Sequence, residues 1–263
     1  MILPFHHLIY CTTLAERFEL HFKPLVPRQE DGLLILDFSQ PRTVHRYANS
    51  GLEFEMTSFP EEEEAIEEYF RWYRPQPGDL VYDVGANCGV STYVLSKLVG
   101  NGGKVIAFEP DPLNHDVLSR NIERHALTNV VVVNAAVAAD RGQLRFNSEG
   151  TLGSSLATVM QRETVGSCLL VNAMTMSDAI ERWGVPAFCK IDIEGAEISV
   201  LAAAREALSD NVEHLAIDTS HLRADGTTTR SEVETILRSY GYEVLSEANP
   251  LMTTWARLSR SRR

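Results

Sequence analysis

The chain has 263 residues, of which 44% are hydrophobic and 23% charged, enough to bury a full core as one large domain or an unequal pair. A formal net charge of -12 and a pI of about 5.1 argue against a nucleic-acid partner, since proteins that grip a phosphate backbone concentrate positive charge to displace counterions. No run reaches the roughly eighteen apolar residues of a membrane span, the opening lacks the basic start and apolar core of a signal peptide, and Cys11, Cys88, Cys168 and Cys189 show neither pairing nor metal-ligand spacing, so a cytoplasmic protein with buried free thiols is expected.

Residues 1–60 differ in texture from the rest and are expected to form a cap or extra layer of mixed α/β character. A helix is predicted over 5–22, followed by short strands in "DGLLILDF" and "HRYANSGLEFEMTSF", where Leu52, Phe54 and Met56 alternate with Glu53 and Glu55 as in a half-buried strand. A second domain is expected over 61–263. It opens with a helix whose apolar stripe is Ile66, Tyr69, Phe70 and Tyr73 and which Pro75 and Pro77 stop.

From Asp79 strands and helices alternate. Strands are predicted at 80–84, 104–109, 130–137, 188–193, 213–218, 242–246 and 253–258, with helices at about 89–99, 112–125, 173–183, 195–207 and 229–240. Apolar runs such as "VVVVNAAV" fit a sheet covered on both faces, so the fold class is α/β with a Rossmann-like, mostly parallel sheet of seven strands. The last two strands have no room for a crossover helix between them and should form an antiparallel hairpin. An insertion at about 138–172 breaks the alternation and is expected over the carboxyl ends of the strands, where open α/β sheets bind ligands.

In "VYDVGANCGVSTYVLSKL", Asp83 closes the first parallel strand, and Gly85 and Gly89 flank the turn into a helix, a geometry suited to close approach of backbone to a nucleotide-type ligand. There is no G-K-[ST], and Asn87 stands where a dinucleotide loop would carry its second glycine. Glu109 ends the next strand, where a carboxylate can accept both hydroxyls of a ribose. Two carboxylates at adjacent strand ends would repel a pyrophosphate but suit an adenosine joined to a cationic, zwitterionic body.

These segments, with "KVIAFEPDPLNHDVLSRNI", "VVVVNAAVAADRG", "TMSDAI" and "CKIDIEGAE", resemble in content and order the FkbM-type family of S-adenosylmethionine-dependent methyltransferases over residues 79–197, and more faintly to about 258. The resemblance implies that Asp83 and the backbone of Gly85, Ala86, Asn87, Cys88 and Gly89 hold the methionine portion of S-adenosyl-L-methionine. It implies Glu109 at the ribose, and Asn134, Ala135 and Ala136 beside adenine; Phe108 or Pro110 is a candidate apolar wall near the base, with a plain core role the alternative for Phe108.

At the reactive end, Asp192 and Glu194 are two residues apart after the fourth strand and would share a face if extended geometry persisted; Lys190 has the same parity. His221, just beyond Asp218, is the best-placed imidazole to accept a proton. The expected catalytic residues are therefore His221, Asp192 and Glu194, with Lys190, Asp218, Ser154 and Ser155 at the substrate. A hard-oxygen site of Asp192, Glu194 and Asp218 for a divalent metal is not favoured, because its spacing is not diagnostic. The expected activity is O-methylation of a small molecule such as a sugar or secondary metabolite. The alternatives are a non-catalytic nucleoside- or protein-binding domain and, less favoured, an NAD-dependent oxidoreductase. The expected partner is a small-molecule acceptor, with no nucleic acid or membrane, and a homodimer is left open.

Overall fold

A computed structural model describes residues 2–3, 18–19, 28–30, 33–35, 43–47, 50–56, 63–148, 155–156, 167–209, 211–223, 225–248 and 252–258. The chain divides into two compact units, Met1–Glu62 and Glu63–Arg263.

In the first unit, β1 (Ile2–Leu3), β3 (Arg28–Glu30) and β4 (Leu33–Ile35) form one antiparallel sheet, and β2 (Phe18–Glu19), β5 (Thr43–Tyr47) and β6 (Glu53–Met56) another. Phe54 and Met56 point inward on β6, as their alternation with Glu53 and Glu55 requires. The helix predicted over 5–22 does not survive at Phe18–Glu19, which pair with Tyr47 and Arg46; its other residues lie outside the described ones.

The second unit opens with a 3-10 helix, Glu63–Phe70, where an α-helix was expected. Ile66, Tyr69 and Phe70 are buried, and the Trp255 indole donates to the Glu68 carbonyl at 2.8 Å, tying this helix to the far end of the chain.

Seven strands follow in one sheet: β7 (Leu80–Val84), β8 (Lys104–Phe108), β9 (Val130–Val133), β14 (Phe188–Ile191), β15 (His214–Asp218), β16 (Tyr242–Ala248) and β17 (Met252–Leu258). Their spatial order is β16-β17-β15-β14-β7-β8-β9, parallel except for β17, which runs antiparallel to both β15 and β16. The chain winds outward from β7 through β8 to β9, then returns to β14 on the other side. β7 and β14 therefore flank the point where winding reverses, the position at which a crevice opens beyond the strand ends.

The intervening helices are α1 (Val90–Val99), α2 (Pro112–Arg124), α3 (Met176–Trp183), α4 (Glu197–Ala203), α5 (Arg205–Ser209) and α6 (Arg230–Ser239). Local chemistry sets their starts. Asp111 caps α2 with Pro112 behind it, and Thr175 and Asp178 form a reciprocal capping box that begins α3 three residues later than the apolar pattern suggested. The helix expected over 195–207 divides at Ala204 into α4 and α5.

The run expected as a single strand over 130–137 is split. Ala135 N–H turns back to the Val133 carbonyl, ending β9, and β10 (Ala136–Val137) joins a second sheet with β11 (Gly142–Ser148), β12 (Ser155–Leu156) and β13 (Ser167–Met174), in the order β10-β13-β11-β12. This is the predicted insertion. Its β11 end is anchored near the carboxyl end of β8, where the Ser148 hydroxyl donates to Asp111 at 2.9 Å. β9 lies at the sheet edge and its valines are only half-buried, so the all-apolar run did not mark a central strand. Among the thiols, Cys88 and Cys189 are buried as expected, but Cys168 is exposed on β13; Cys11 lies outside the described residues.

Tyr82, fully buried on β7, meets Phe108 edge-on and places its hydroxyl within reach of the Ala179 and Gly184 carbonyls, at 2.9 and 2.6 Å. It thereby fastens the end of α3 to the sheet. Substituting phenylalanine should cost about 1–2 kcal/mol in urea unfolding, the net value of one buried hydrogen bond, with little change in ring packing.

Candidate active site

Lys190 and Asp83 are register partners on the parallel strands β14 and β7, at the winding reversal. The Lys190 ammonium donates to the Gly85 carbonyl at 2.9 Å, lies 3.3 Å from Asp83 Oδ1 and 3.8 Å from Asp192 Oδ2, and sits over the Tyr69 ring. Asp83 Oδ2 accepts from the Ser91 and Thr92 hydroxyls of α1 at 2.8 and 2.7 Å. Both charged residues are almost wholly removed from solvent. Asp83 thus faces inward instead of toward a ligand, because its charge is already met by one ammonium and two hydroxyls. Lys190, expected at the substrate, is likewise internal.

The glycines have a different reason from the one the sequence suggested. A Cβ on Gly85 would lie 1.8 Å from the Asp192 carbonyl oxygen, at a φ of +83°, and one on Gly89 would lie 2.5 Å from a Leu118 methyl, at +90°. Packing of the protein against its own backbone demands glycine at 85, and at 89 the left-handed backbone favours it. The loop between them holds a third left-handed residue, Asn87, whose Oδ1 accepts from Cys88 N–H. The Cys88 carbonyl accepts from Asn121, so the loop is held from below.

Glu109 lies at the tip of β8 and is nearly buried. Its two oxygens accept from the backbone N–H groups of Asn87 and Asp111 at 2.8 and 2.9 Å. Burial pushes its carboxyl up to about 8, against the opposing effect of those two donors. Asn134 is exposed and donates to the Glu109 carbonyl at 3.1 Å, while Ala135 and Ala136 are buried behind it and Pro110 is half-buried. Helix α1 starts at Gly89 with no side-chain cap, so its first N–H groups have no side-chain acceptor at the cap position. An uncapped helix start beside a buried strand-tip carboxylate fits a ligand with an anionic group at one end and neighbouring hydroxyls at the other.

On the other side of the reversal, Asp192, Glu194 and His221 converge. His221 Nε2 lies 3.5 Å from Asp192 Oδ1 and 3.7 Å from Glu194 Oε1, and Nδ1 lies 3.0 Å from Glu197 Oε1. Extended geometry ends at Ile191, and Glu194 is left-handed at a φ of 53° with Gly195 beside it at 97°. The convergence of Asp192 and Glu194 therefore comes from a tight turn, not from strand parity. The Tyr69 hydroxyl lies 3.5 Å from Asp192 Oδ2, and Asp218 Oδ1 accepts from Ser220 N–H at 2.7 Å.

Burial raises the Glu194 carboxyl above its ordinary value. Burial, followed by the charge of Asp192, does the same to Asp218. Burial opposes the charged form of His221, yet Glu197 and Glu194 overcome it and hold the imidazole well above its ordinary value. Asp192, Asp218 and His221 each offer a ligand atom within 4.8 Å of the others, so these three, with His221 in place of Glu194, are the described residues suited to hold a divalent cation. Ser154 lies outside the described residues, and Ser155 is described only as a strand residue paired with Asn147. Sequence reasoning missed Glu197 and Tyr69, since a glutamate opening a helix and an aromatic in an apolar stripe each carry an ordinary structural meaning.

Residues 83–244, more than half of the chain, match the family model described as the methyltransferase FkbM domain. The chain is 28% identical over 206 residues to 31-O-demethyl-FK506 methyltransferase FkbM of Streptomyces tacrolimicus, covering 67% of this chain and 77% of that one. It is 24% identical over 196 residues to methyltransferase sdnD of Sordaria araneosa, covering 63% and 74%. The crystal structure of methyltransferase FkbM from Methylobacillus flagellatus KT shares the fold, with a TM-score of 0.51 and 21% identity over 74% of this chain. The matched region spans half of that longer chain.

Removing the buried cation tests the geometry at the winding reversal. Lys190→Met should leave Asp83 an uncompensated interior charge and lower stability by about 3–5 kcal/mol, read by denaturant unfolding. A loss below about 1 kcal/mol would mean that the two hydroxyls of α1 suffice for Asp83.

Proposed function

The chain belongs to the FkbM family and is an S-adenosylmethionine-dependent methyltransferase; from that premise we propose that it methylates a hydroxyl oxygen of a small molecule such as a sugar or secondary metabolite. The observation that carries this reading is the meeting of Asp192, Glu194 and His221 beyond the carboxyl ends of β14 and β15, next to the glycine loop. An oxygen acceptor must lose a proton as it is alkylated, and this cleft holds groups able to receive it. The relative from Streptomyces tacrolimicus is named for methylation at an oxygen, which agrees with the same chemistry.

The cofactor supplies a methyl group on a sulfonium, and its transfer leaves a neutral thioether. In this reading Glu109 holds the ribose hydroxyls, and the uncapped start of α1 with the backbone of Gly85, Ala86, Asn87, Cys88 and Gly89 holds the methionine portion. Asn134, Ala135, Ala136 and Pro110 border the base. Asp83 acts indirectly, by fixing Ser91 and Thr92 at the start of α1. His221 receives the acceptor's proton on Nε2, while Asp192, Glu194 and Asp218 bind the acceptor's remaining polar groups. Alignment of the acceptor oxygen and exclusion of water supply much of the rate.

Methyl transfer to a panel of hydroxylated small molecules, with mass spectrometry and NMR locating the new methyl, tests the assignment. The expected product is an O-methyl ether, and a methyl on nitrogen or carbon would overturn it. On an acceptor so identified, His221→Ala and Asp192→Asn should each lower kcat by about 100-fold or more.

Ribose hydroxyls donate to a carboxylate, so binding favours the ionised form of Glu109. Because burial holds this acid at about 8, it is mostly neutral at pH 7 and mostly ionised at pH 9. The Kd for S-adenosylhomocysteine should therefore fall by about tenfold between those pH values, following the competent fraction. Calorimetry of Glu109→Gln should show weaker binding with that pH dependence removed.

A further inference from the structure

At the carboxyl end of β15 the sheet carries a polar row that leads away from His221. Asp218, Thr253 and Glu247 are successive register partners on β15, β17 and β16, and residues directly opposite one another in antiparallel strands share a face. The row beneath them on that face holds Ala216 and Trp255, both apolar and buried, so polar groups begin where the strands give way to the cleft. Its outer end is closed by an ion pair between Glu247 and Arg71, whose guanidinium stands over the Trp255 ring. At the inner end, a carboxylate oxygen each of Asp218 and Asp192 and a ring nitrogen of His221 lie within 4.8 Å of one another.

Thr253 is completely buried, and its hydroxyl has no hydrogen-bond partner among the described residues. The neighbouring Thr254 is equally buried on the opposite face, yet its hydroxyl meets those of Thr219 and Ser246 at 3.0 and 2.7 Å. An unmet buried hydroxyl carries its full desolvation cost, which a valine of similar shape would avoid. Asp218 beside it is also nearly buried. Ser220 N–H donates to its Oδ1, taking one of the roughly four acceptor positions of a carboxylate.

On the reading of His221 as the acceptor's proton receiver, we propose that Asp218 and Thr253 form a subsite for a second hydroxyl, and that the acceptor is a vicinal diol. One hydroxyl is methylated at His221, and its neighbour is held between the carboxylate and the threonine. A hydroxyl fits both partners, because it donates to Asp218 and accepts from Thr253. An ether has no hydrogen for the carboxylate, and an ammonium has no lone pair for the threonine's hydrogen.

Distance sets the spacing of the two hydroxyls. The Asp218 oxygen and the His221 nitrogen are at most 4.8 Å apart, and hydroxyls on adjacent ring carbons lie side by side, able to reach both. Hydroxyls on opposite sides of a six-membered ring diverge. Directly opposed residues have Cβ atoms about 4.5–5.5 Å apart, so an oxygen bound at Asp218 is within reach of Thr253. Holding the neighbouring hydroxyl fixes the acceptor's orientation, which aligns the reacting oxygen with the methyl group.

The test is methyl transfer from S-adenosylmethionine to matched probes. These are cis- and trans-1,2-cyclohexanediol against cyclohexanol and 1,4-cyclohexanediol, and methyl glucoside against its singly deoxygenated derivatives. The better 1,2-diol should exceed both counterparts in kcat/KM by about tenfold or more, the worth of hydrogen bonds to the neighbouring hydroxyl. Thr253→Val should reduce that preference about fivefold, chiefly through KM, with a urea midpoint no lower than the parent's. Thr253→Ser, which keeps the hydroxyl, should restore the preference, and Asp218→Asn should lower it. Should Thr253→Val not fold, Thr253→Ala is read in its place, and the parent's preference is measured independently of either.

Equal turnover of cyclohexanol or the 1,4-diol, or a preference unmoved by removing the Thr253 hydroxyl, overturns the subsite. If no probe is turned over, saturation-transfer NMR on the complex with S-adenosylhomocysteine reads binding in the same pairs; failure of every vicinal diol to bind better than its counterpart overturns the subsite too. The preference should persist in EDTA, and its loss there would put the diol on a bound cation and overturn direct recognition. Parental turnover in His221→Ala defeats the proton-receiver reading itself, whether or not the preference is seen.

Discussion

A single buried ammonium organises the centre of the molecule. Lys190 lies opposite Asp83 in the register of β14 and β7, and its Nζ reaches the Gly85 carbonyl, Asp83 and Asp192 within 3.8 Å. A charge pair so far from water is costly in desolvation. Asp83 Oδ2 accepts two hydroxyls, while Oδ1 has the ammonium at 3.3 Å and no hydrogen bond among the described residues. The arrangement does more than balance charge. It locks the first strand, the glycine loop and the fourth strand in one register at the point where the winding of the sheet reverses, and a slip by one residue would strand both charges in the core.

That lock has a cofactor side and an acceptor side. The Asp192 backbone packs so tightly on Gly85 that no side chain fits between them, while Asp192 N–H donates to the Val84 carbonyl. Any displacement of the loop before α1 is thus felt by the turn that carries Asp192 and Glu194. Methyl transfer requires alignment of acceptor and donor to within a fraction of an ångström. A shared backbone contact between the two loops is a direct way to hold it. On the outer flank, Asp111 receives both the start of α2 and the Ser148 hydroxyl, so the second sheet is moored beside the Glu109 tip.

Several sequence readings reached a sound conclusion by a different physical route. Asp192 and Glu194 do meet at His221, although strand parity is interrupted and a left-handed turn brings them together. Gly85 leaves no room for a side chain against the Asp192 carbonyl, and Gly89 sits at a left-handed φ, so each has a reason within the fold itself. Asp83 sits at the strand end as expected, but Ser91, Thr92 and Lys190 had already claimed its carboxylate. Glu197 escaped notice because a glutamate after "EGA" looks like any acidic residue at a helix start, and only its burial distinguishes it.

The order of strands and helices, the antiparallel last pair and the two acidic strand tips were legible in the chain, because they depend on hydrophobic period, turn residues and spacing, all local properties. "DVGAN" with "FEP" and "KIDIEGAE" likewise carried the family. Whether a carboxylate faces water, a ligand or a lysine was decided only when β7 and β14 were brought side by side and the turn after β14 curled around Glu197. The direction and desolvation of a charged side chain depend on neighbours distant in sequence, here more than a hundred positions apart for Lys190 and Gly85.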